Sequence, residues 1–597
     1  MILQRLVEHY DRISSEAGDA HIPRPGFSNQ KISFCIVLES DGRLNSFQPL
    51  QERDGNRLVA LQLTVPGESK PPGSGVNPCF LWDNAVYLLG YKPDDPDPER
   101  TAKCFEAFRK RHLNAEQIVN DPAFSAVCAF LRSWSPEKAQ ENSKLLSEIT
   151  TNFGVFRIAG ESRYVHERVR SDPASDVADS SQAERRPYAT CLVTGLLAPI
   201  ARLHEPKIKG VAKAQSSGAL LVSFNAPAYE SYSKSQSYNA PVSTEAVFKY
   251  AIALNHLLDD KRRRISLGDT TVVFWAERRH PLEEFVSDLL GDIPSSAAGS
   301  AEDQERVRQA RLLLTQLRDG VAESNAVDHD SRTKFFILGL SPNAARISIR
   351  FWIEADVADL HRRLGQHLRD IELIRPHDDL PLSLRRIVAA TGRAEFDVKG
   401  KFKGFDTDSV PCQLVGDLAR SVLTGAAYSQ SLLSSMLRRI RSDGEVHYSR
   451  VAAIKACIVR NARLRGNALE VSVELDRNHS EPAYNVGRLF ALLEKIQSDS
   501  ADSELNTTIK DHYFSSASST PALVFPRLFR LGQHHLAKLN TGSRIFYERL
   551  IGEVMSKLSV FPAHLAIEDQ GKFVIGYYHQ RQNLFTSRKS KEEGASE

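Results

Sequence analysis

The chain has 597 residues, 41% of them hydrophobic and 25% charged, and a formal net charge of +3 at pH 7. That length exceeds what one hydrophobic core usually organises, so roughly two to four domains are expected. The near-neutral balance excludes a histone-like polycation, and any nucleic-acid surface has to be local. Arg5, Glu8, Asp11 and Arg12 interrupt the first apolar residues, against a signal peptide, and no apolar run approaches membrane-spanning length. Cysteines at 35, 79, 104, 128, 191, 412 and 457 form no CxxC pair and no zinc-ligand spacing. Reduced, cytoplasmic thiols are expected.

In chain order, Ile2, Leu3, Leu6, Val7, Tyr10 and Ile13 make a helical stripe, ended by Pro23, Pro25 and Gly26. Ile32 to Leu38, Leu44 to Leu50 and Leu58 to Val65 predict a strand meander with a turn at Asp41-Gly42. Val65 to Pro78, rich in Gly and Pro around Lys70, reads as a surface loop or as one that enters a groove of DNA. Phe80 to Leu89 predicts a strand. Helices follow over Ala102 to Leu113, Asp121 to Trp134 and Pro136 to Ile149, then a strand over Asn152 to Ile158. Ser171 to Arg186 is a polar insertion.

The central segment carries the densest set of groups suited to holding a polyanion. Lys207, Lys209 and Lys213 lie on a glycine-interrupted connector, and the turn Gln215-Ser216-Ser217-Gly218 leads into Ala219 to Phe224, a predicted buried strand. A polar loop from Asn225 to Asn239 holds Tyr229, Tyr232, Lys234, Gln236 and Tyr238. Thr244 to Leu258 predicts a helix, capped by Ser243 or Thr244. It runs into Lys261-Arg262-Arg263-Arg264, and Thr270 to Trp275 is a second strand. Lysines there attract phosphates, Ser216, Ser217 and amides near Gly218 donate to phosphate oxygens, and tyrosines stack on bases. The amides of Gln215, Gln236, Asn225 and Asn239 both donate and accept, which suits base edges. The same residue types also fit an ordinary solvated rim with tyrosine rings laid on the core.

Gly291 to Asp303 reads as a linker and Glu305 to Leu317 as a helix. Thr333 to Ile353 holds two strands joined by Ser341-Pro342-Asn343. In the second, Arg346, Ser348, Arg350 and Trp352 alternate with Ile347, Ile349, Phe351 and Ile353, giving one basic face that is either solvated or set against phosphates. Val357 to Leu373 is a basic helix. From Leu380 the pattern is helical over Ser383 to Ala390, Gln413 to Ile440, Ser449 to Leu464, Pro482 to Gln497, Glu504 to Ser515, Leu523 to Leu539 and Gly542 to Leu558. Arg438, Arg439, Arg441, Arg450, Lys455, Arg460, Arg463 and Arg465 make the region before Gly466 basic. The fold class is therefore α+β. A mixed N-terminal domain (1–187) and a mixed central region with basic loops (188–375) precede a helical bundle (380–585) and a polar, unfolded tail (586–597).

Catalytic patterns are missing. There is no GxxxxGK[ST] loop, HExxH or GxSxG. His534-His535 and Asp378-Asp379 have no companions at ligand spacing, and Ser216 and Ser217 lack an identifiable base and orienting acid. No catalytic, cofactor or metal site is expected. The alternatives to a DNA-binding subunit are a metal-dependent nuclease or RNA-processing subunit, and a purely architectural protein–protein module.

Several blocks carry a resemblance: MILQRLVEHYDRI (1–13), CLVTG (191–195), IARLHEPKIKGV (200–211), AQSSGALLVSFN (214–225), ESYSKSQSYNAPVS (230–243), GDTTVVFWA (268–276) and YNVGRLFALLEKIQ (484–497). In order and in content they resemble the Cas8c (Csd1) family, the large subunits of type I-C CRISPR surveillance complexes. The resemblance implies a non-catalytic, cytoplasmic subunit of an RNA-guided complex that defends against viruses. Such a subunit reads the short protospacer-adjacent motif (PAM) on double-stranded DNA, stabilises the R-loop and supports recruitment of the helicase–nuclease Cas3. It implies as partners target DNA, crRNA and the Cas7, Cas5 and Cas11c subunits, and no membrane. The residues expected at the DNA are Lys70, Lys207, Lys209, Lys213, Gln215, Ser216, Ser217, Gly218, Asn225, Lys234, Gln236, Asn239, Lys261 to Arg264, Arg346 and Arg350. The part from about 480 resembles Cas11c, which the family also makes from an internal start. Met436 and Met555, the only internal methionines, do not lie just before YNVGRLF, so a start near Val473 or Val486 would need a non-methionine codon.

Overall fold

The computed structural model describes residues 2–16, 22–54, 57–67, 75–142, 146, 153–168, 187–267, 269–280, 282–283, 286, 332–375, 382–398, 400–467, 469–501 and 507–593. The sequence readings at Lys70, 171–186, 291–303, 305–317 and Asp378-Asp379 lie outside them. The fold is α+β. The chain forms two units, Met1–Lys209 with Gln215–His256 and Gly210–Ala214 with Leu257–Glu597.

The first unit holds α1 (Ile2–Ser15), β1 (Phe27–Leu38), β2 (Leu44–Pro49), β3 (Gln51–Asp54), β4 (Arg57–Pro66), β5 (Trp82–Asn84), α2 (Ala85–Leu88), α3 (Pro98–Val119), α4 (Pro122–Ser133), β6 (Phe153–Ile158), β7 (Tyr188–Thr190) and β8 (Leu197–Pro199). α5 (Thr244–Asp259) begins in this unit and ends in the other. Six strands form one sheet in the order β3-β4-β1-β6-β5, with β2 also on β1. β1 runs antiparallel to β2 and β4 and parallel to β6. Its period of two divides the side chains. Phe34, Ile36 and Leu38 join Phe108, Phe124 and Phe130 of the helices, while Cys35 and Val37 join Trp82 and Val155 on the opposite face. The three strands form as the alternation predicts, but not as a meander: β4 pairs with β1 and β3 and not with β2. The strand expected over Phe80 to Leu89 is not: only Trp82–Asn84 is extended, and Asn84 Oδ1 accepts from Tyr87 N (3.4 Å) to start α2. A short, fully apolar run has no period that separates strand from buried helix. Pro136–Asn142 is a 3₁₀ helix.

The second unit opens with β9 (Arg264–Leu267), β10 (Thr270–Ala276), β11 (Lys334–Asn343) and β12 (Arg346–Asp356), an antiparallel sheet in the order β12-β11-β10-β9. It continues with α6 (Val357–Ile371), α7 (Leu384–Ala389), β13 (Ala394–Phe396), β14 (Phe402–Phe405), α8 (Cys412–Thr424), α9 (Gln430–Asp443) and α10 (Tyr448–Leu464). The last helices are α11 (Pro482–Asp499), α12 (Ile509–Ala517), α13 (Pro521–Leu536), α14 (Thr541–Met555) and α15 (Ile567–Glu593). One core runs from Ile265 to Leu584 and joins this sheet to the helices. Three readings change. The run Gln413 to Ile440 is two helices, because Gly425 takes φ +75° after α8 and Ser429 Oγ caps α9 through Leu432 N (3.2 Å). The β13–β14 hairpin interrupts the helical series. α15 takes in residues from Thr586 that read as tail.

The glycine of YNVGRLF has a steric reason. A Cβ on Gly487 of α11 would lie 2.0 Å from Phe573 O of α15, and one on Gly576 would lie 2.1 Å from Tyr484 O. The two backbones therefore touch. In a free helix Gly→Ala stabilises by about 1 kcal/mol. Here Gly487→Ala or Gly576→Ala should instead destabilise by about 1–3 kcal/mol, because the helices must separate. A thermal melt with a raised midpoint for both variants would show that the helices do not cross there.

Candidate nucleic-acid interface

From Pro187 to Ser243 the chain is mostly irregular, and α5 supplies its floor. Ser243 Oγ accepts from Ala246 N (3.2 Å), which starts the helix, and Ala246, Val247, Tyr250, Ala253 and Leu254 are buried. His204 Nδ1 meets Tyr250 Oη at 2.7 Å. Asn255 pins the lysine-bearing segment by its backbone: its Oδ1 accepts from Lys209 N (2.8 Å) and its Nδ2 donates to Lys207 O (3.0 Å). Ile208 is buried between them and pairs with Ala219, so Lys207 and Lys209 point outward. The turn from Gln215 folds against this segment. Gly218, at φ +91°, sits where a Cβ would meet Lys207 Cβ at 2.8 Å and Ile208 O at 3.1 Å. Gln215, Ser216 and Ser217 are exposed beside the two lysines. The strand expected over Ala219 to Phe224 does not form: Ala219 and Leu220 make isolated bridges, Ala219 with Ile208, and Leu220 to Phe224 are half-buried.

The next loop is built on polar side chains. Ser237 N donates to Arg202 O (3.3 Å), and Arg202 Nη1 donates to Gln236 Oε1 (2.6 Å). Gln236 N donates to Glu230 Oε1 (3.0 Å). Asn239 is turned into the loop: its Oδ1 accepts from Ser231 N (2.8 Å), and its Nδ2 donates to Lys234 O (2.6 Å) and Gln236 O (2.8 Å). Asn239 therefore shapes the loop, and Arg202 holds the Gln236 side chain at its Oε1, which leaves Nε2 as its donor for anything outside. Asn225, Tyr232 and Lys234 are exposed. Arg202, Lys207, Lys209 and Lys234 are exposed and outnumber the exposed carboxylates of the same stretch, Glu205 and Glu230, so its balance is positive.

The remaining described basic residues singled out from the sequence belong to the second unit, where carboxylates hold several of them. Lys213 pairs with Asp408 (3.5 Å), Arg263 with Glu283 (3.1 Å) and Asp260 (3.6 Å), and Arg350 with Asp269 (3.2 Å). Lys261 and Arg262 are exposed, while Arg264 lies half-buried in β9. The basic face expected on β12 is broken. A register shift at Gly339/Leu340 leaves both Ile349 and Arg350 exposed, Arg346 is half-buried, and Trp352 stacks on Phe336 at 5.7 Å. Arg450, Lys455 and Arg460, part of the basic region before Gly466, are core residues. His535 Nδ1 meets Ser500 Oγ at 2.9 Å.

The sequence reading has α13 as a helix and notes His534-His535, but not its basic face. Residues 512–547 contain no Asp or Glu. Along α13 and the turn after it, Leu523, Arg527, Arg530, His534 and Lys538 are exposed at helical spacing. Arg527 Cζ lies 5.4 Å from the Tyr513 ring centroid. The missing acids were the available signal. A periodicity search registers apolar recurrence and ignores them.

With this geometry in hand, the comparison with protein families is specific. The family model described as CRISPR-associated protein Csd1 matches residues 6–585. The chain belongs to the Csd1 family of CRISPR-associated proteins. Among curated proteins, none matches the chain. Membership of the Csd1 family ties it to CRISPR systems and to a complex with other CRISPR-associated components. Among the described residues no helix is long and apolar enough to cross a membrane.

Proposed function

We propose that this Csd1-family chain is the non-catalytic, DNA-binding large subunit of a cytoplasmic type I-C RNA-guided complex. It reads the PAM on double-stranded DNA, stabilises the opened R-loop and supports Cas3 recruitment, alongside crRNA and the Cas5, Cas7 and Cas11c subunits. The observation that carries this reading is the pinned surface of Lys207, Lys209 and the Gln215–Gly218 turn, all exposed except Gly218. Two lysines held by their backbones suit phosphates, and the exposed amide of Gln215 suits a base edge. The acid-free face of α13 suits a single strand, whose phosphates meet Arg530 and Lys538 while bases stack near Tyr513.

Replacing Lys207 and Lys209 together by alanine should weaken binding of the assembled complex to all duplexes about equally. The slope of log affinity on log salt should fall by about 0.9 per lost phosphate contact. Gln215→Ala should act differently, reducing discrimination between correct and incorrect adjacent motifs by about 1–3 kcal/mol. Titrations at two salt concentrations read both. Unchanged affinity and discrimination in an assembled complex would remove this surface from the DNA.

A protein-contact role is favoured by a separate observation. Tyr188 to Ala201 contains no charged residue, and Leu192, Leu196 and Leu197 on the β7–β8 hairpin are 61%, 68% and 73% exposed. An uncharged leucine cluster suits another subunit and not a polyanion.

A further inference from the structure

We infer that Tyr232 is a preformed stacking platform for an unpaired nucleobase, an inference that rests on the nucleic-acid reading above. Ser231 and Lys234 close a tight turn, with Lys234 N donating to Ser231 O (3.0 Å). Its two central residues, Tyr232 and Ser233, have φ of +52° and +57°. That left-handed pair is the geometry glycine and asparagine normally supply, and a tyrosine in it is strained. Gln236, four residues on, also has positive φ, at +50°.

The strain is held by the surrounding bonds. Asn239 ties Ser231 N to Lys234 O and Gln236 O across the base of the turn, Glu230 holds Gln236 N, and Arg202 holds the Gln236 side chain. At the tip, the Tyr232 residue is 95% exposed. An exposed tyrosine by itself is ordinary. A tyrosine fixed at the apex of a strained, multiply braced turn is not, because such backbone persists where the structure over-determines it, typically against a ligand.

The neighbours select the ligand class. Ser231, Ser233 and Lys234 are all exposed, so hydroxyls and a cation flank the tyrosine in the turn. An aromatic face with an adjacent cation matches a base and its phosphate. A base inside a duplex shows no face, so the target is one at a fork or in a single strand.

The test uses the full-length chain and a forked DNA duplex carrying a fluorescent adenine analogue as the first unpaired base. Tyr232→Ala should weaken binding to the fork by about 5- to 150-fold and abolish quenching of the analogue, with the salt slope unchanged. Tyr232→Trp should keep both affinity and quenching, and Asn239→Ala, which loosens the turn, should lose part of each. If Tyr232→Ala binds and quenches like the native chain while the Lys207/Lys209 double variant loses affinity, the stacking role is overturned and the interface stands. A native chain that binds neither forked nor blunt DNA removes both.

Discussion

Replacing Asp370 by alanine should destabilise the second unit by about 3–5 kcal/mol, the cost of leaving a buried cation without its counter-charge. Asp370, on α6, is 2% exposed. Its Oδ2 accepts from Arg460 Nε (2.7 Å) and Arg463 Nη2 (3.0 Å), and its Oδ1 from Arg463 Nη1 (2.9 Å) and Gln366 Nε2 (3.0 Å). Burial pushes this carboxyl up, but the hydrogen bonds and charge of Arg463 and Arg460 outweigh it and hold the group below the usual carboxylate range. Arg460 is itself buried. It donates to Ser421 O (2.7 Å) and lies over the Tyr428 ring at 4.5 Å. With the carboxylate gone, its charge has no acidic partner among the described residues. Removing both charges, as in Asp370→Leu with Arg460→Met, should recover much of the loss, since the pair repays its own desolvation only in part. Denaturant titration decides. A single Asp370→Ala variant within 1 kcal/mol of the native chain would show that the network does not hold the helices.

Acidification should unfold the protein well above the range in which its carboxylates titrate. Burial lowers the pKa of His112 to about 3, of His166 and His204 to about 4, and of His367 and His579 to about 3. These imidazoles are neutral when folded and bind a proton near pH 6.5 when unfolded. Their contribution is therefore complete above pH 6.5 and is lost as pH falls toward 4 to 3, at about 1.4 kcal/mol per pH unit for each histidine. At pH 5 that amounts to about 2 kcal/mol each. The ceiling is about 6 kcal/mol for the first unit, which holds His112, His166 and His204, and about the same for the second, where His447, also lowered to about 4 mainly by burial, joins His367 and His579. The hydrogen bonds explain why the neutral form is kept. Leu81 N donates to His112 Nε2 (2.9 Å), whose Nδ1 donates to Phe108 O (2.8 Å). His204, His367 and His579 each meet a buried tyrosine hydroxyl, of Tyr250, Tyr428 and Tyr484, at 2.6–2.8 Å. Melting followed from pH 7.5 to 5 should show a steep fall. A flat profile down to pH 5 would mean these histidines are hydrated in the native state.

What the sequence determined by itself is local. The stripe of α1, the alternation of β1, β2 and β4, the Ser243 start of α5 and the apolar run of β10 are each written in neighbouring residues, because helix and strand periods are properties of a few consecutive positions. The Csd1 blocks were equally legible, as was the clustering of Lys207, Lys209 and the Gln215 turn, since these lie within a dozen positions. Tertiary structure decided the rest. Arg450, Lys455 and Arg460 read as surface cations because a charge is normally solvated. Only the fold could bring Asp443, Glu372 O and Asp370 to them. Asn239 read as a free amide until the loop closed on it, and the α13 face emerged only when the helix showed which side was outward. A side chain's type sets what it can bond to, but which bonds it makes depends on groups 58 to 90 residues away, as from Arg450 to Gly392 O or from Arg460 to Asp370, and packing alone puts those in reach.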